Sequence, residues 1–234
     1  FITAQKFSSY LSNAGSTDAH IMKNSEWGAV AYIYHSKYGK YGLKGTGSSQ
    51  NDIFDNTSSS FITGRSSGSI PSSSSTSTVG RYTYDDLLVS SGNAATTGSG
   101  GGASTTGNVT GIYDVAGSAR ERMMSLYTGS TTWGGSSAGF SSKPLAKYYD
   151  AYTNNLSPNY YCNDGICYGH AFTSEVRGWY NHNVGEVLGS GSPWVLRGSA
   201  YNNRGNGQMF TEYPTDGDAD NIITFRSVLL MPGA

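Results

Sequence analysis

Two cysteines and a histidine are the most closely spaced reactive side chains in this sequence. Cys162 and Cys167 are separated by four residues, which include Asp164 and Gly165, and His170 follows three positions later. An Asp-Gly pair favours a tight hairpin, which a disulfide between the two cysteines can close. A zinc site of the form Cys-x4-Cys-x2-His is the alternative, but no second Cys/His pair stands at zinc spacing. We therefore favour a disulfide and predict no metal site.

The other histidines form no recognisable catalytic motif. His20, His35 and His182 are widely separated, and the short spacing between His170 and Glu175 does not by itself make an acid–base pair. The sequence has no phosphate-binding loop and no His-Glu-x-x-His motif. We predict that the protein is not an enzyme.

The composition describes a polar surface with few charges. Charged residues make up 13% of the 234 residues, about half of the usual ~25%, while glycine and tyrosine are abundant. A net charge of -1 gives no electrostatic footprint for nucleic acid, and no apolar run reaches the ~18 residues that span a bilayer. We predict one domain over residues 1–234, with no nucleic-acid partner and no membrane insertion. The closely spaced cysteines favour an oxidising, extracellular compartment.

Two helices are predicted near the N-terminus. Residues 3–11 place apolar side chains four positions apart, and residues 23–34 carry a longer helical repeat that Asn24 or Ser25 is expected to cap. Residues 38–106 lack periodicity and are rich in Gly, Ser and Asn, which predicts a loop excursion within the domain. The apolar face of the second helix consists of Trp27, Val30, Ala31 and Tyr34.

The elements that remain are a turn and two strands. In residues 107–124, Asp114 can accept a backbone N–H and Gly117 permits a positive φ where the chain reverses. The apolar runs in residues 192–201 and 222–230 predict buried strands. Between them, residues 202–220 are rich in Asn, Gly and Asp, which predicts exposed turns.

Three blocks, residues 3–35, 107–124 and 192–230, resemble the formylglycine-generating enzyme (sulfatase-modifying factor) family and occur in the family's order. Arg120 and Arg122 depart from the family pattern, which usually has aromatic residues there. The matching residues are Glu26, Trp27, Ala29 and Ala31 in the first block, Gly107, Asn108, Gly111, Tyr113, Asp114, Gly117 and Glu121 in the second, and Trp194, Arg197, Gly198, Phe225 and Arg226 in the third.

The resemblance implies an α+β domain with a C-type lectin-like fold: two helices, a small twisted antiparallel sheet and long loops. In the family, strands precede the first helix, and the N-terminal strand pairs with the C-terminal one. Because this chain begins at a predicted helix, we expect an upstream segment or another chain to supply the first strands. The family's reactive cysteines lie near its C-terminus, where residues 195–234 have none. We therefore expect the copper-dependent oxidase chemistry to be absent.

The resemblance also implies roles for individual residues. Arg197 and Arg226 are candidates for buried arginines that pair with Asp114 or Glu121. Trp27 and Phe225 complete the expected structural set. Bound calcium is an alternative that relatives allow, because Asp216, Asp218 and Asp220 alternate as oxygen ligands could. Turn residues without an ion alternate in the same way, and we favour that interpretation and expect no cofactor.

Non-catalytic relatives of this fold include variable proteins of diversity-generating retroelements and surface adhesins of bacteria or phages. They present side chains from the C-terminal sheet and loops, and Tyr with Asn supplies contact area and adaptable hydrogen bonds. We expect an extracellular module, on a cell or virion surface, that displays this face to a protein or glycan ligand. The alternative is a structural subunit of a pilus, filament or phage particle that assembles through its sheet edge. The expected ligand-binding residues are Trp194, Tyr201, Asn202, Asn203, Arg204, Asn206, Tyr213, Asp216 and Asn221.

Overall fold

The computed structural model describes residues 18–36, 38–39, 105, 111–112, 115, 117, 119–128, 144–152, 167–176, 188–189, 191–201 and 209–230. Within them the chain is a mixed α and β structure. The predicted helix at residues 3–11 and nearly all of the predicted loop excursion lie outside the described residues. The helices are α1 (Asn24–Tyr34), the four-residue α2 (Thr173–Val176) and a 3-10 turn (Ala146–Tyr148). The strands are β1 (Asp18–Ile21), β2 (Arg120–Tyr127), β3 (Asp150–Tyr152), β4 (Trp194–Arg197), β5 (Glu212–Thr215), β6 (Ile223–Phe225) and β7 (Ser227–Leu230).

The larger sheet is organised around β2 and has the strand order β3-β2-β4-β5. β4 pairs antiparallel with both β2 and β5. β3 and β6 pair parallel with opposite ends of β2. The prediction of an antiparallel sheet is therefore wrong, because the chain returns to β2 twice in the same direction.

β1 and β7 form a second, two-stranded antiparallel sheet that the sequence analysis did not predict. Their register pairs Ala19 with Leu229 and Ile21 with Ser227. Met22 then joins the two sheets, since its carbonyl accepts the N–H of Met124 in β2 at 2.8 Å. The final strand, β7, thus has a partner within this chain, because β1 lies ahead of α1 and pairs with β7. That an upstream segment or another chain supplies the first strands of the fold stays a prediction.

The C-terminal segment also differs from its prediction. Residues 222–230 were expected to form one buried strand, but the segment divides at Arg226. The part before Arg226 pairs with β2 and the part after it pairs with β1, so two half-buried strands serve two different sheets. The turns predicted over residues 202–220 are interrupted by β5, and Met209, Phe210 and Thr211 are buried.

Helix α1 packs one face against the larger sheet, as its periodicity predicted. Trp27 and Ala31 are fully buried, and Trp27 Nε1 donates to the carbonyl of Met209 at 3.0 Å. The helix begins after Lys23, so the expected caps, Asn24 and Ser25, lie inside its first turn. Their backbone N–H groups instead reach side chains of the sheet: Asn24 donates to Ser125 Oγ at 2.7 Å and Ser25 donates to Asp150 Oδ2 at 2.7 Å.

The two faces of the larger sheet carry separate cores. Side chains alternate along β2, so Met123 enters the cluster below α1 while Met124 enters a smaller cluster on the opposite face. Trp194 and Leu126 also belong to the smaller cluster, against which Phe225 packs. The same two-residue alternation therefore determines on which face of the sheet each charged residue of β2 lies.

Candidate functional site

A row of three charged residues crosses the helix-facing side of the larger sheet. The strand register places Glu121 of β2, Arg197 of β4 and Glu212 of β5 beside one another. All three are buried, and Arg197 Nη1 lies 3.3 Å from Glu212 Oε2. Glu121 pairs with Arg226 in the adjoining segment, where Arg226 Nε donates at 2.9 Å. The predicted pairing of Arg226 with Glu121 is thus present, whereas the carboxylate partner of Arg197 is Glu212.

Arg197 donates to backbone and side-chain acceptors from three segments. Its Nε donates to Asn24 Oδ1 at 2.6 Å, and its Nη2 donates to the carbonyl of His170 at 2.9 Å. Nη1 donates to the carbonyl of Phe210 at 3.3 Å. Complete burial lowers the pKa of Arg197, while Glu212 opposes that shift. This arginine therefore locks α1, the turn before α2 and the segment before β5 to the sheet.

A directed chain of hydrogen bonds leads from Arg197 toward the surface. Because arginine only donates, Asn24 must present its oxygen to Arg197 and its amide to Tyr152 Oη, which lies 3.2 Å away. Tyr152 Oη then donates to Nδ1 of neutral His170 at 2.7 Å. Burial raises the pKa of Tyr152 well above its ordinary value and lowers the pKa of His170. Both groups are therefore neutral near pH 7.

The turn Cys167–His170 closes this buried network. Cys167 is buried and disulfide-bonded, while its predicted partner, Cys162, lies outside the described residues. The N–H of Gly169 donates to Glu175 Oε1 at 2.7 Å, and Tyr32 Oη donates to the other oxygen of Glu175 at 3.1 Å. The burial of Tyr32 raises its pKa, and the carboxylate of Glu175 adds to the shift. The same turn holds His170 at the position where its Nδ1 accepts the hydrogen bond from Tyr152.

The opposite side of the sheet presents a different pair of residues at the end of β2. The guanidinium carbon of Arg120 lies 3.8 Å from the ring centroid of Tyr213 in β5. Both side chains are half-buried, and the backbone N–H of Arg120 donates to the carbonyl of Ile222 at 2.9 Å. Asp216 and Asn221 are exposed nearby in the chain. We call these four residues, Arg120, Tyr213, Asp216 and Asn221, the Arg120–Tyr213 patch.

Two Asx turns form the rim of the patch. Asp216 Oδ1 accepts the N–H of Asp218 at 3.0 Å, and Asp220 Oδ1 accepts the N–H of Ile222 at 3.1 Å. Arg122, which is buried, donates from Nη2 to the carbonyl of Asp218 and so holds the first turn against the sheet. Burial lowers the pKa of Arg122, and Asp216 and Asp218 oppose that shift. The aspartates therefore act as turn-forming residues that frame the patch.

The structure brings together only some of the ligand-binding residues predicted from sequence. Trp194 is wrong as a contact residue, because it is 0% exposed in the smaller core. Tyr213, Asp216 and Asn221 lie in the patch, and Tyr201 is half-buried in the segment that follows β4. The described geometry shows no hydrogen bond or ring contact between Tyr201 and Tyr213. Asn202, Asn203, Arg204 and Asn206 lie outside the described residues, as does Asp114 of the structural set.

Three residues of these sites were not predicted from the sequence. Arg120 and Arg122 were noted only as departures from a family pattern, although their spacing of two places them on one face of a strand. Glu212 was missed because it stands in a segment that was predicted to be turns. Alternation around Tyr213, with Glu212 and Pro214 on the other face, is the signal that could have identified β5.

The described part of the chain contains no group of three or more His, Cys, Asp or Glu side chains that could hold a metal ion. Among the same residues, no helix is both long and apolar enough to cross a membrane. The Arg120–Tyr213 patch combines a guanidinium over an aromatic ring with two exposed polar residues. Comparison with protein-family models, curated proteins and solved structures found no match to this chain.

Proposed function

We propose that this chain is an extracellular ligand-binding or display module that presents its C-terminal face, on a cell or virion surface, to a protein or glycan. The observation that carries this proposal is the Arg120–Tyr213 patch, where the Arg120 guanidinium lies over the Tyr213 ring and Asp216 and Asn221, a few positions further along the chain, are exposed. Tyrosine and arginine are the residues on which binding surfaces most often depend.

The scaffold beneath the patch supports the same proposal. Glu212 and Tyr213 are neighbours in β5, yet one is fixed to Arg197 inside the molecule and the other stacks on Arg120 outside it. A rigid strand that is anchored on one face holds the contact residues on its other face in a fixed geometry, which reduces the entropic cost of binding. The patch is therefore preorganised by the charged row below it.

A C-type lectin-like fold of the formylglycine-generating enzyme family is the architecture that we propose for this module. In that family the N-terminal strand pairs with the C-terminal one, and here β1 pairs antiparallel with β7. The helix after β1 and the Arg226–Glu121 pair fit the same arrangement. In keeping with the loss of the family's C-terminal cysteines, we propose a binding protein without catalytic activity or a resident cofactor.

Simultaneous replacement of Tyr201 and Tyr213 by alanine tests the binding function. Wild-type protein is screened on arrays of glycans and surface-protein peptides, and the dissociation constants of the hits are then measured for both proteins. Loss of two aromatic anchors is expected to weaken binding by at least about tenfold. Tyr168→Ala is the matched control, because Tyr168 is 65% exposed on a different turn. A double variant that retains its thermal stability and the wild-type dissociation constant would reject the assignment.

One observation favours the alternative of a pilus, filament or phage subunit that assembles through its sheet edge. Leu229 is 50% exposed on β7, the strand at the end of the described chain. One edge of β7 nevertheless already pairs with β1 of the same chain. Sedimentation at several protein concentrations separates the two functions, because only the alternative requires self-association.

A further inference from the structure

Both polar atoms of the Asn24 side chain are engaged in the buried network. Oδ1 accepts from Arg197 Nε at 2.6 Å, and Nδ2 donates to Tyr152 Oη at 3.2 Å and to the carbonyl of His170 at 3.0 Å. Rotation of the amide by 180° would place its NH2 group against Arg197, which can only donate. Asn24 is therefore fixed in one orientation, with its NH2 group toward Tyr152.

The hydroxyl of Tyr152 has only one direction in which it can donate. Tyr152 is 2% exposed, and among the described residues its hydroxyl has two hydrogen-bond partners, Asn24 and His170. Because Asn24 is the donor in the first bond, the O–H of Tyr152 must donate to Nδ1 of His170, which lies 2.7 Å away. This bond requires that Nδ1 carries no proton.

Protonation of His170 would reverse the polarity of this bond. Nδ1 would become a donor, so Tyr152 Oη would face two donors and its own O–H would lose its acceptor. A buried donor without an acceptor is costly. Tyr152 cannot relieve the conflict by ionising, because burial raises its pKa well above the ordinary value. Asn24 cannot relieve it by rotating, because Arg197 fixes its oxygen.

The charged groups around His170 come from four sides. Burial has the largest effect and lowers the pKa of His170. Asp150 of β3 and Glu175 of α2 oppose this shift, while Arg197 of β4 and Lys23 before α1 add to it. A histidine in an open turn regains its ordinary pKa of about 6.5, so protons bind the open turn more tightly than the closed one.

We propose that the Tyr152–His170 hydrogen bond is a pH-sensitive switch: acidification protonates His170 and releases the turn Cys167–His170 from Tyr152 and Asn24. In the closed state Gly169 and His170 pack directly on Gly28 of α1, so the turn cannot relieve the conflict by moving toward the helix. It can only move away, as a local opening of the structure. The switch goes beyond the display function and does not depend on it.

Hydrogen exchange at Asn24, measured by NMR, tests the switch. The two side-chain amide hydrogens report on the turn, because their acceptors are Tyr152 and His170. The backbone N–H of the same residue donates to Ser125 Oγ at 2.7 Å and reports on the start of the helix instead. Between about pH 7.5 and about pH 5, side-chain exchange relative to its intrinsic rate should accelerate at least about tenfold, as expected when a buried donor loses its acceptor. Relative exchange of the backbone N–H should not change.

Three variants identify the groups that are responsible. His170→Asn keeps an acceptor that does not titrate, so the acceleration should disappear. Tyr152→Phe removes the hydroxyl that loses its acceptor, so the acceleration should shrink several-fold to what burial of His170 alone produces. His20→Gln is the matched control: it removes another buried histidine, which pairs with Glu26 at 2.8 Å outside the network, and should leave the acceleration intact.

The imidazole ¹⁵N shifts of wild-type protein provide a readout that requires no variant to fold. At neutral pH they should show Nδ1 of His170 without a proton, and the titration of His170 should coincide with the acceleration at Asn24. The switch is rejected if Nδ1 carries the proton in the neutral ring, if His170 titrates without any acceleration, or if Tyr152→Phe accelerates as much as wild type.

Discussion

Replacement of Gly28 by alanine is expected to destabilise the protein, although alanine is the better helix former. Gly28 lies in the middle of α1, where the turn Cys167–His170 packs against it. A Cβ built on Gly28 would lie 2.1 Å from the carbonyl oxygen of Gly169 and 2.8 Å from Cα of His170. Ordinary contact begins at 3.4 Å. The turn would therefore have to move away from the helix by about 1 Å, a typical overpacking strain.

The magnitude follows from what anchors the turn. Alanine gains about 1 kcal/mol of helix propensity over glycine. Against this, overpacking costs ~1–3 kcal/mol. Displacement also lengthens the hydrogen bonds that the carbonyl of His170 accepts from Asn24 at 3.0 Å and from Arg197 at 2.9 Å. Each buried donor left without an acceptor costs a further ~1–3 kcal/mol. We expect a net loss of roughly 2–4 kcal/mol in the free energy of unfolding.

Urea denaturation of Gly28→Ala and wild type measures this difference. Ala29→Gly is the matched control, because Ala29 is exposed on the same turn of α1 and should lose only about 1 kcal/mol of propensity. The melting temperature of Gly28→Ala should fall by roughly 5–10 °C. A Gly28→Ala variant that is as stable as wild type, or more stable, would show that the turn does not pack rigidly on the helix.

Two further predictions concern the buried network. Arg197→Lys should reduce the free energy of unfolding by about 3–5 kcal/mol, because lysine cannot reach the separate acceptors of a buried guanidinium. Arg226→Lys is the control and should cost far less, because the side chain of Arg226 is 28% exposed. Equal losses in the two variants would contradict the role of Arg197. Folding lowers the pKa of His170 below its unfolded value of about 6.5. The contribution of His170 to stability is therefore complete above that pH and is lost as pH falls from the unfolded pKa toward the folded one. His170→Asn, whose oxygen can accept from Tyr152, should flatten the pH dependence of the unfolding free energy below about pH 6.5, and an unchanged slope would assign that dependence to other groups.

The helix was predictable because its signal is local. Trp27, Ala31 and Tyr34 recur at helical spacing and all three are buried. The start of the helix was predicted less well, since the groups that receive its first N–H donors, Ser125 and Asp150, are more than 100 residues away. No local pattern indicates which distant side chains will supply a cap.

The strands were harder to predict for two physical reasons. β1 has only four residues, too few to show alternation beyond chance, and its stability depends on pairing with β7. β5 contains Pro214, which argues against a central strand; it is tolerated here because β5 is the last strand in the described order of the sheet. The division at Arg226 arises because the two halves pair with different strands, and the pairing partner of a strand cannot be read from the strand's own sequence.

The site could be predicted in part for the same reasons. Tyr213, Asp216 and Asn221 were predicted from composition, because polar and aromatic residues cluster there, and they lie at positions that are half-buried or exposed. Trp194 was assigned to the surface although the strand register turns it inward, against Leu126. Whether a residue in a short strand faces in or out depends on register, and a shift of one position reverses the answer.

The row of Glu121, Arg197 and Glu212 limits which positions of the sheet can accept mutations. Each acidic member has a neighbour in sequence, Arg120 or Tyr213, that points to the other side of the sheet. Mutations at these outward positions alter what the molecule contacts, while the inward positions continue to hold the strands in register. Substitutions at Arg120 and Tyr213 can therefore change this end of the sheet without a new core having to evolve, whereas further along β2 both faces are buried.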